Sequence, residues 1–547
     1  MKTFEQRFIY FGLISIVLVI TPFVSFEPNS QPKFLILVLL ATIALLNIIS
    51  KLNLSDLRNY RTPIFLAIAY LSIAILAFVL SPQPSIKQIY GIEGRNLGIA
   101  TYISFIILFI FCIFNASSSM VDAVIKSVQI GGTASAIIGL FQMAGVNLYQ
   151  GSNLAYGLSV GFLGNPNFQS AFLGIALVLN FASLLDPAKH KKFVYFQIIT
   201  SIIALYGTNS TQGYVLAIIG ASIIVMYKLF TMKRIKSLIL TTFIFSTLFL
   251  ISIFAFLGKG PASSLLYQTS ITYRGDYWRA AWNMIIQNPV AGLGFDSYRD
   301  NYRLYRDLSS VTRRGPEVVA DSPHNVLLEA GVNGGLGLFL INILISIFIL
   351  FTFAKYLKTN KSNNQLIIGL FAAWVAYTAQ SIISLGNVAL SLIGWIFGGL
   401  IIGLGLKPNN NTNLDSKNQK IRIRNKSQLL VGVLIGATIA TPNFIYDARF
   451  ASAYKSGNVN RIVTTVSNWP SDGYKMSRVV EILNANGFKI DALSLAKKNI
   501  ELHPEVYEAW KTYLNITDIS DPEKENILLK MRIMDPLNTN LLSPVKQ

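Results

Sequence analysis

Between residues 258 and 325 the chain carries seven arginines (Arg274, Arg279, Arg299, Arg303, Arg306, Arg313, Arg314) and one lysine, Lys259. A guanidinium fork grips two phosphate oxygens at once, whereas an ammonium acts as a point charge. The enrichment therefore points to an anionic ligand such as a pyrophosphate. Asp276, Asp296, Asp300, Asp307, Glu317 and Asp321 share the segment, so a charge-balanced, solvated loop is the competing reading for each arginine. The segment ends in Asp321-Ser322-Pro323-His324-Asn325. Asp321 or Ser322 suits a helix cap and Pro323 a first helical position, which places His324 in the first turn of the helix that follows. The positive end of a helix disfavours imidazolium. A neutral imidazole can take a proton from a hydroxyl, which is general-base chemistry; simple capping or anchoring is the alternative. With three histidines (His190, His324, His503) and one cysteine (Cys112), a Cys-based zinc site and an intrachain disulfide are excluded, and a His-rich metal site has little to draw on.

The elements that must position these residues are membrane spans. The chain has 547 residues, 52% hydrophobic and 13% charged, with mean hydropathy +0.49. An average soluble domain carries about 25% charge. Apolar blocks of about 17–25 residues, long enough to cross a hydrocarbon layer, give about thirteen spans. They fall at 8–26, 33–50, 63–80, 97–115, 123–145, 168–185, 193–208, 213–231, 237–257, 326–354, 365–385, 388–406 and 429–446. The first has Lys2 and Arg7 ahead of it but runs into Phe23, Phe26 and Pro28 without a small-residue cleavage site, so it reads as a retained span.

Thirteen spans put one set of basic loops on one side. These are Lys2 and Arg7; Lys51, Arg58 and Arg61; Lys189, Lys191 and Lys192; Lys228, Lys233, Arg234 and Lys236; Lys355, Lys358 and Lys361; and the run from Lys407 to Lys426. The positive-inside rule makes that side cytoplasmic, with the N-terminus in and the C-terminus out. The net charge of +20 then reflects topology and not nucleic-acid binding. The loops 81–96 and 146–167, the segment 258–325 and the chain after 447 are external. This predicts an all-α polytopic domain over 1–446 and an extracytoplasmic helical domain over 447–547.

Within the external segment, YRGDYWRAAWNMIIQNP reads as a helix on the membrane surface. Arg274, Trp278, Ala281, Trp282 and Ile285 share a face, and indoles suit the interface. Pro289 ends it and the glycines of 292–294 form a turn. In the tail, Pro470, Pro504 and Pro536 are spaced by 34 and 32 residues, and ALSLAKKNIELHP followed by EVYEAWKTYLNI resembles a tetratricopeptide array. A plain helical bundle is the alternative. Either serves docking to a protein partner. His503, at a helix end before Pro504, reads as structural.

Taken together, these elements resemble the bacterial O-antigen ligase and polymerase superfamily. The matching pieces are Arg274 with Trp278; Pro289 with Gly292 and Gly294; and Pro323-His324-Asn325 followed by Gly334, Gly335 and Gly337. Gly164, Asn165, Pro166 and Asn167 resemble the family's external segment before a span, and Gly94, Arg95 and Gly98 its first external arginine element. The resemblance covers roughly 60–405. In two places the chain departs from the pattern: Ser210-Thr211-Gln212-Gly213 stands where the family often has Ser-Arg-Gly, and Asn333 where an acid is common.

The resemblance implies glycan transfer from an undecaprenyl-diphosphate donor at the outer face of the cytoplasmic membrane, without metal or cofactor. It implies that His324 activates the acceptor hydroxyl and that Arg95, Arg274 and Arg279 hold the diphosphate. Asn165 and Asn167 would bind sugar or cap a helix. Trp278 and Asn325 would shape the site, and Glu329, costly in lipid, should face protein or water. The acceptor would be a lipid-linked core sugar (ligase), another glycan (polymerase) or a protein hydroxyl (O-oligosaccharyltransferase), in that order. A flippase or transporter is the reading from another class. The near absence of ionisable residues in the spans and the lack of a half-to-half repeat count against it. A non-catalytic scaffold is the third.

Overall fold

A computed structural model describes residues 3–51, 57–81, 85–146, 157–186, 191–256, 258–260, 263, 269–360, 365–407, 426–516 and 521–541. Most of the basic run between Lys407 and Lys426, with Lys189, His190 and Lys361, lies outside the described residues, as do residues 82–84 and 147–156 of the two loops.

Among the described residues the chain is helical throughout, with no strand. Each of the thirteen expected spans coincides with a helix: α1 (Phe4–Leu18), α2 (Ser30–Lys51), α3 (Arg61–Leu80), and, after the short α4 (Ser85–Tyr90), α5 (Ile99–Phe114), α6 (Ser118–Met143), α7 (Pro166–Leu185), α8 (Lys191–Tyr206), α9 (Gln212–Thr231) and α10 (Ile235–Phe256). The external segment folds as α11 (Thr269–Gln287), α12 (Tyr298–Tyr305) and α13 (Leu308–Arg314), followed by α14 (Val326–Thr359), α15 (Gln365–Ser381), α16 (Val388–Leu406) and α17 (Lys426–Ser456). Eight are long and apolar enough to cross a membrane by length and composition. Among the described residues of these helices, Phe65, Val79, Ile218, Ile347 and Phe351 point outward and are exposed. In water such a girdle would be a liability, but hydrocarbon solvates it. The chain is a polytopic, all-α, multi-pass membrane protein.

The helix α16 is enclosed on nearly all sides, by α5, α14 and α15 among others. Its glycines admit the neighbouring backbones: a Cβ on Gly399 or Gly403 would strike the carbonyls of Phe109 or Ile113 in α5. Lys33, fully enclosed in α2, donates to the carbonyls of Val17 (3.2 Å) and Val19 (2.7 Å), satisfying acceptors that the end of α1 leaves open.

Opposite Pro289 and Gly292, α14 is broken. Gly334 and Gly335 leave helical geometry, Gly335 at φ +65°. In a continuous helix Leu336 N–H would donate to Val332 C=O. Here it donates to Pro289 C=O (2.8 Å), and Val332 C=O accepts from Leu293 N–H (2.8 Å). The external turn thus supplies both partners that the break removes. Only glycine fits: a Cβ at Gly292 would meet the Val332 carbonyl and one at Gly335 the Pro289 carbonyl. This exchange locks the loop after α11 to the span that follows the histidine.

The expected domain boundary at 446/447 falls inside α17, which continues to Ser456. The tail adds α18 (Val459–Val466), α19 (Gly473–Ala485), α20 (Lys489–Leu502), α21 (Tyr507–Ile516) and α22 (Asp521–Met534). These pack on one another around Phe450, Val466, Met476, Val480, Leu495 and Tyr513.

The tail is also fastened to the external segment. Arg303 and Arg306 of α12 converge on the buried Asp535 carboxylate at 2.9 and 2.6 Å. Tyr474 Oη donates to Asp300 (2.6 Å), which also pairs with Lys87. Burial raises the pKa of Asp300; Lys87 and Tyr474 oppose that shift. The guanidinium of Arg299 lies 3.6 Å from the Tyr474 ring centre, and Lys511 pairs with Glu317 at 2.6 Å. On the other flank Lys475 pairs with Glu93 (2.6 Å) and Asp447 (3.3 Å). The helical tail forms a fixed wall against α12.

Candidate active site

A cavity of about 230 Å³ opens where the N-terminal parts of α7, α9 and α11 meet the turn before α14. Its lining is Asn167, Asn209, Ser210, Thr211, Gln212, Tyr273, Arg274, Tyr277 and His324. Of the expected site residues, His324, Arg274 and Asn167 come together here.

His324 is not in a helical turn, contrary to expectation. Asn325 is the N-cap of α14, its Oδ1 accepting from Leu327 and Leu328 N–H at 3.0 Å each, so the helix starts two residues beyond the histidine. His324 sits in the preceding turn at φ +51°, a left-handed conformation unusual for a side chain of this size. Its N–H donates to Ser322 Oγ (3.0 Å), and its ring stacks on Tyr277 with centroids 5.7 Å apart. Burial lowers its pKa to about 4; Asp321 opposes the shift and Arg274 and Arg95 add to it. The imidazole is therefore neutral at physiological pH, for desolvation and arginine fields and not for the helix-pole reason the sequence suggested. A neutral ring presents one lone pair to the cavity's contents.

Arg274 is half-buried on α11, and no carboxylate or carbonyl bonds its guanidinium among the described residues. Burial lowers its pKa from the ordinary value. A desolvated cation without an anion lacks the compensation that buried charges normally have. The other arginines of the segment are engaged. Arg279 pairs with Asp307 (2.6 Å) and with Asp276, which also takes Arg313 at 2.9 Å. Arg303 and Arg306 hold Asp535, and Arg299 stacks on Tyr474. Arg314 donates to Tyr277 Oη (2.6 Å) with its guanidinium over the Tyr273 ring. The arginine enrichment mostly builds the external wall and leaves Arg274 to the cavity.

Arg95 does not line the cavity. It is 8% exposed, pairs with Glu329 and with Asp296 (3.3 Å), and donates to Asp321 C=O (2.9 Å). Burial opposes its charge, but Asp296 and Glu329 outweigh that and hold its pKa above the ordinary value. Its grip on the Asp321 carbonyl fixes the start of the turn that carries His324. Glu329 is enclosed in protein at 1% exposure. Asn333, where an acid was the family expectation, accepts from Asp296 N–H (3.1 Å) and so orders the same hub. Asn165 caps α7 by accepting from Asn167 N–H (2.8 Å). Trp278 packs in the cluster under α11 with Tyr277, Tyr298 and Tyr302. Arg279 lies outside the lining, half-exposed.

Sequence reasoning missed Tyr273, Tyr277 and Asn209, and it named Ser210, Thr211 and Gln212 only as a departure from the family pattern. For the tyrosines a signal existed: they stand four apart on α11, so one helical face presents both beside Arg274. Tyr277 is held from behind, because Tyr298 Oη donates to its carbonyl (2.9 Å) and the Tyr302 ring packs against it at 6.0 Å.

The fold and cavity define a multi-pass helical membrane protein with a partly buried arginine and a neutral histidine in one cavity. Residues 196–343 match the family model described as O-Antigen ligase. Over that stretch the chain is similar to the O-antigen ligase family, which supports a membrane glycosyltransferase of the ligase and polymerase type. The matched stretch contains every cavity residue except Asn167; Arg95 and the Gly164–Asn167 element precede it. No curated protein matches the chain.

Proposed function

We propose that the protein transfers a glycan from an undecaprenyl-diphosphate donor to an acceptor hydroxyl, metal-free, at the extracytoplasmic face of the cytoplasmic membrane. The observation that carries this reading is the pairing in one cavity of Arg274, a desolvated cation lacking an anion, with His324, a neutral base. Arg274 binds a phosphate oxygen and stabilises the charge that grows on the diphosphate as the anomeric C–O bond breaks. His324 takes the proton of the acceptor hydroxyl as the new glycosidic C–O bond forms. Tyr277 holds the imidazole plane, Arg95 and Asn325 hold the turn that carries it, and Asn167 offers an amide to sugar hydroxyls. A lipid-linked core sugar is the acceptor of choice, ahead of another glycan or a protein hydroxyl. The repeat-like tail faces that acceptor or a protein partner. The distribution of lysine and arginine among the loops supports an outward-facing cavity by the positive-inside rule.

Arg274→Ala is expected to raise the donor KM about 10- to 100-fold, the magnitude of a lost charge-assisted hydrogen bond in a desolvated site. Arg274→Lys should recover part of that loss, because a point charge lacks the fork. Steady-state transfer with purified lipid-linked donor checks it; an unchanged donor KM in Arg274→Ala overturns the phosphate assignment.

A further inference from the structure

A diphosphate offers at least two anionic groups, and the cavity lining contains one arginine. Where the related pattern has a second arginine, this chain has Gln212. The cavity wall at that point is the N-terminal end of α9, a helix of 20 residues whose Thr211 cap position has no side-chain cap hydrogen bond. The N–H groups of Thr211 and Gln212 have no acceptor among the described residues. Beside them Ser210 is 9% exposed, and its Oγ, buried in the lining, has no hydrogen-bond partner.

This end of α9 is rigidly held. Ser170 of α7 donates from Oγ to Ser210 C=O (3.1 Å) and accepts at Oγ from Gly213 N–H (2.8 Å). A Cβ on Gly213 would strike the Ser170 carbonyl, and one on Gly174 the Gly213 backbone, so the two helices touch backbone to backbone. The α9 end therefore cannot turn its N–H groups elsewhere, and a buried hydroxyl left without a partner costs about 1–3 kcal/mol.

We infer that the α9 N-terminus is a second anion subsite, built from the Ser210 hydroxyl and the Thr211 and Gln212 N–H groups, that takes the second phosphate of the donor diphosphate. This rests on the donor reading above. The positive pole of a helix carries about half a charge and aligned N–H donors, the standard chemistry of phosphate binding. An uncharged cradle substitutes for the guanidinium: it selects by hydrogen-bond geometry and draws less on long-range attraction.

The test is equilibrium binding of farnesyl diphosphate and farnesyl monophosphate to the full chain in nanodiscs, for the wild type, Ser210→Ala, Gln212→Arg and Arg274→Ala. Removing the Ser210 hydroxyl is expected to weaken diphosphate binding about tenfold and to leave monophosphate binding within about twofold. Gln212→Arg should tighten diphosphate binding and make it more sensitive to salt. If Arg274→Ala weakens diphosphate binding while Ser210→Ala and Gln212→Arg leave it at the wild-type value, the subsite is refuted and the donor reading stands. Equal weakening of both ligands by Ser210→Ala also refutes it, since the residue then acts on the cavity as a whole. If none of the three variants changes diphosphate binding, the donor reading itself fails.

Discussion

Replacing His324 by asparagine is expected to lower glycan transfer by about 10²–10⁴-fold, the usual contribution of a positioned base. Asparagine is the informative substitution, because it tolerates the left-handed backbone that His324 adopts at φ +51°. The fold and donor affinity should persist, since the ring contributes one aromatic contact and no hydrogen bond that holds the turn. The pH dependence carries the sign. The imidazole pKa is lowered to about 4 by burial, with Arg274 and Arg95 adding to the shift. Above that value the ring is neutral and can accept a proton; below it the ring is imidazolium and cannot. The acid limb of kcat/KM, which reports the free enzyme, should therefore lie near pH 4 and not near the ordinary histidine value. Bound diphosphate adds negative charge beside the ring and favours imidazolium, so the limb of kcat should lie higher. Transfer from a purified lipid-linked donor to the envelope acceptor fraction, measured from pH 3.5 to 8, checks both. A kcat/KM limb near pH 6.5 in the wild type, or its survival in His324→Asn, counts against the base role.

The second large effect is expected far from the cavity. Asp535→Ala removes a carboxylate on which two arginines converge, with Asp535 and Arg306 fully enclosed and the Arg303 side chain 5% exposed. Removing one side of a buried ion pair leaves charge without compensation and costs about 3–5 kcal/mol. The midpoint of thermal unfolding in detergent should fall, and kcat should fall with it even below that midpoint. The path is explicit: Arg303 belongs to α12, whose Tyr298 and Tyr302 hold Tyr277, which stacks on His324. The triple variant Arg303→Met, Arg306→Met, Asp535→Leu removes all three charges and should recover most of the stability. If Asp535→Ala unfolds at the wild-type midpoint, the tail is not the fixed wall described here.

Much of the architecture was legible from the chain because hydrocarbon tolerates little else than apolar helices. All thirteen expected spans find a helix, of which eight are long and apolar enough to cross a membrane among the described residues; ends differ as well, the first helix stopping at Leu18 and the last running on to Ser456. The pattern around Pro289, Gly292, Gly334 and Gly335 was legible as a motif. Its cause was not, because it is an exchange of backbone hydrogen bonds between segments some forty residues apart. The start of α14 was misplaced because Ser322, Pro323 and Asn325 all carry start signals, and Asn325 wins by capping two N–H groups at once. The arginines show the limit most clearly. Their number suggested a ligand, but the partner of Arg303 and Arg306 lies more than two hundred residues downstream. Ser210 stood out in the sequence only as part of a departure from the family pattern; it becomes a candidate donor when its hydroxyl is seen enclosed beside an uncapped helix end.

The central claim is that the cavity between Arg274, His324 and the end of α9 receives a polyprenyl diphosphate. A photoreactive undecaprenyl-diphosphate analogue, labelled next to the phosphates and incubated with the purified chain in nanodiscs, tests it most directly. The expected adducts map by mass spectrometry to 209–212, 273–277 and 324, are displaced by unlabelled undecaprenyl diphosphate and decline in Arg274→Ala. Displaceable adducts confined to another face of the protein, or unchanged in that variant, would contradict the account.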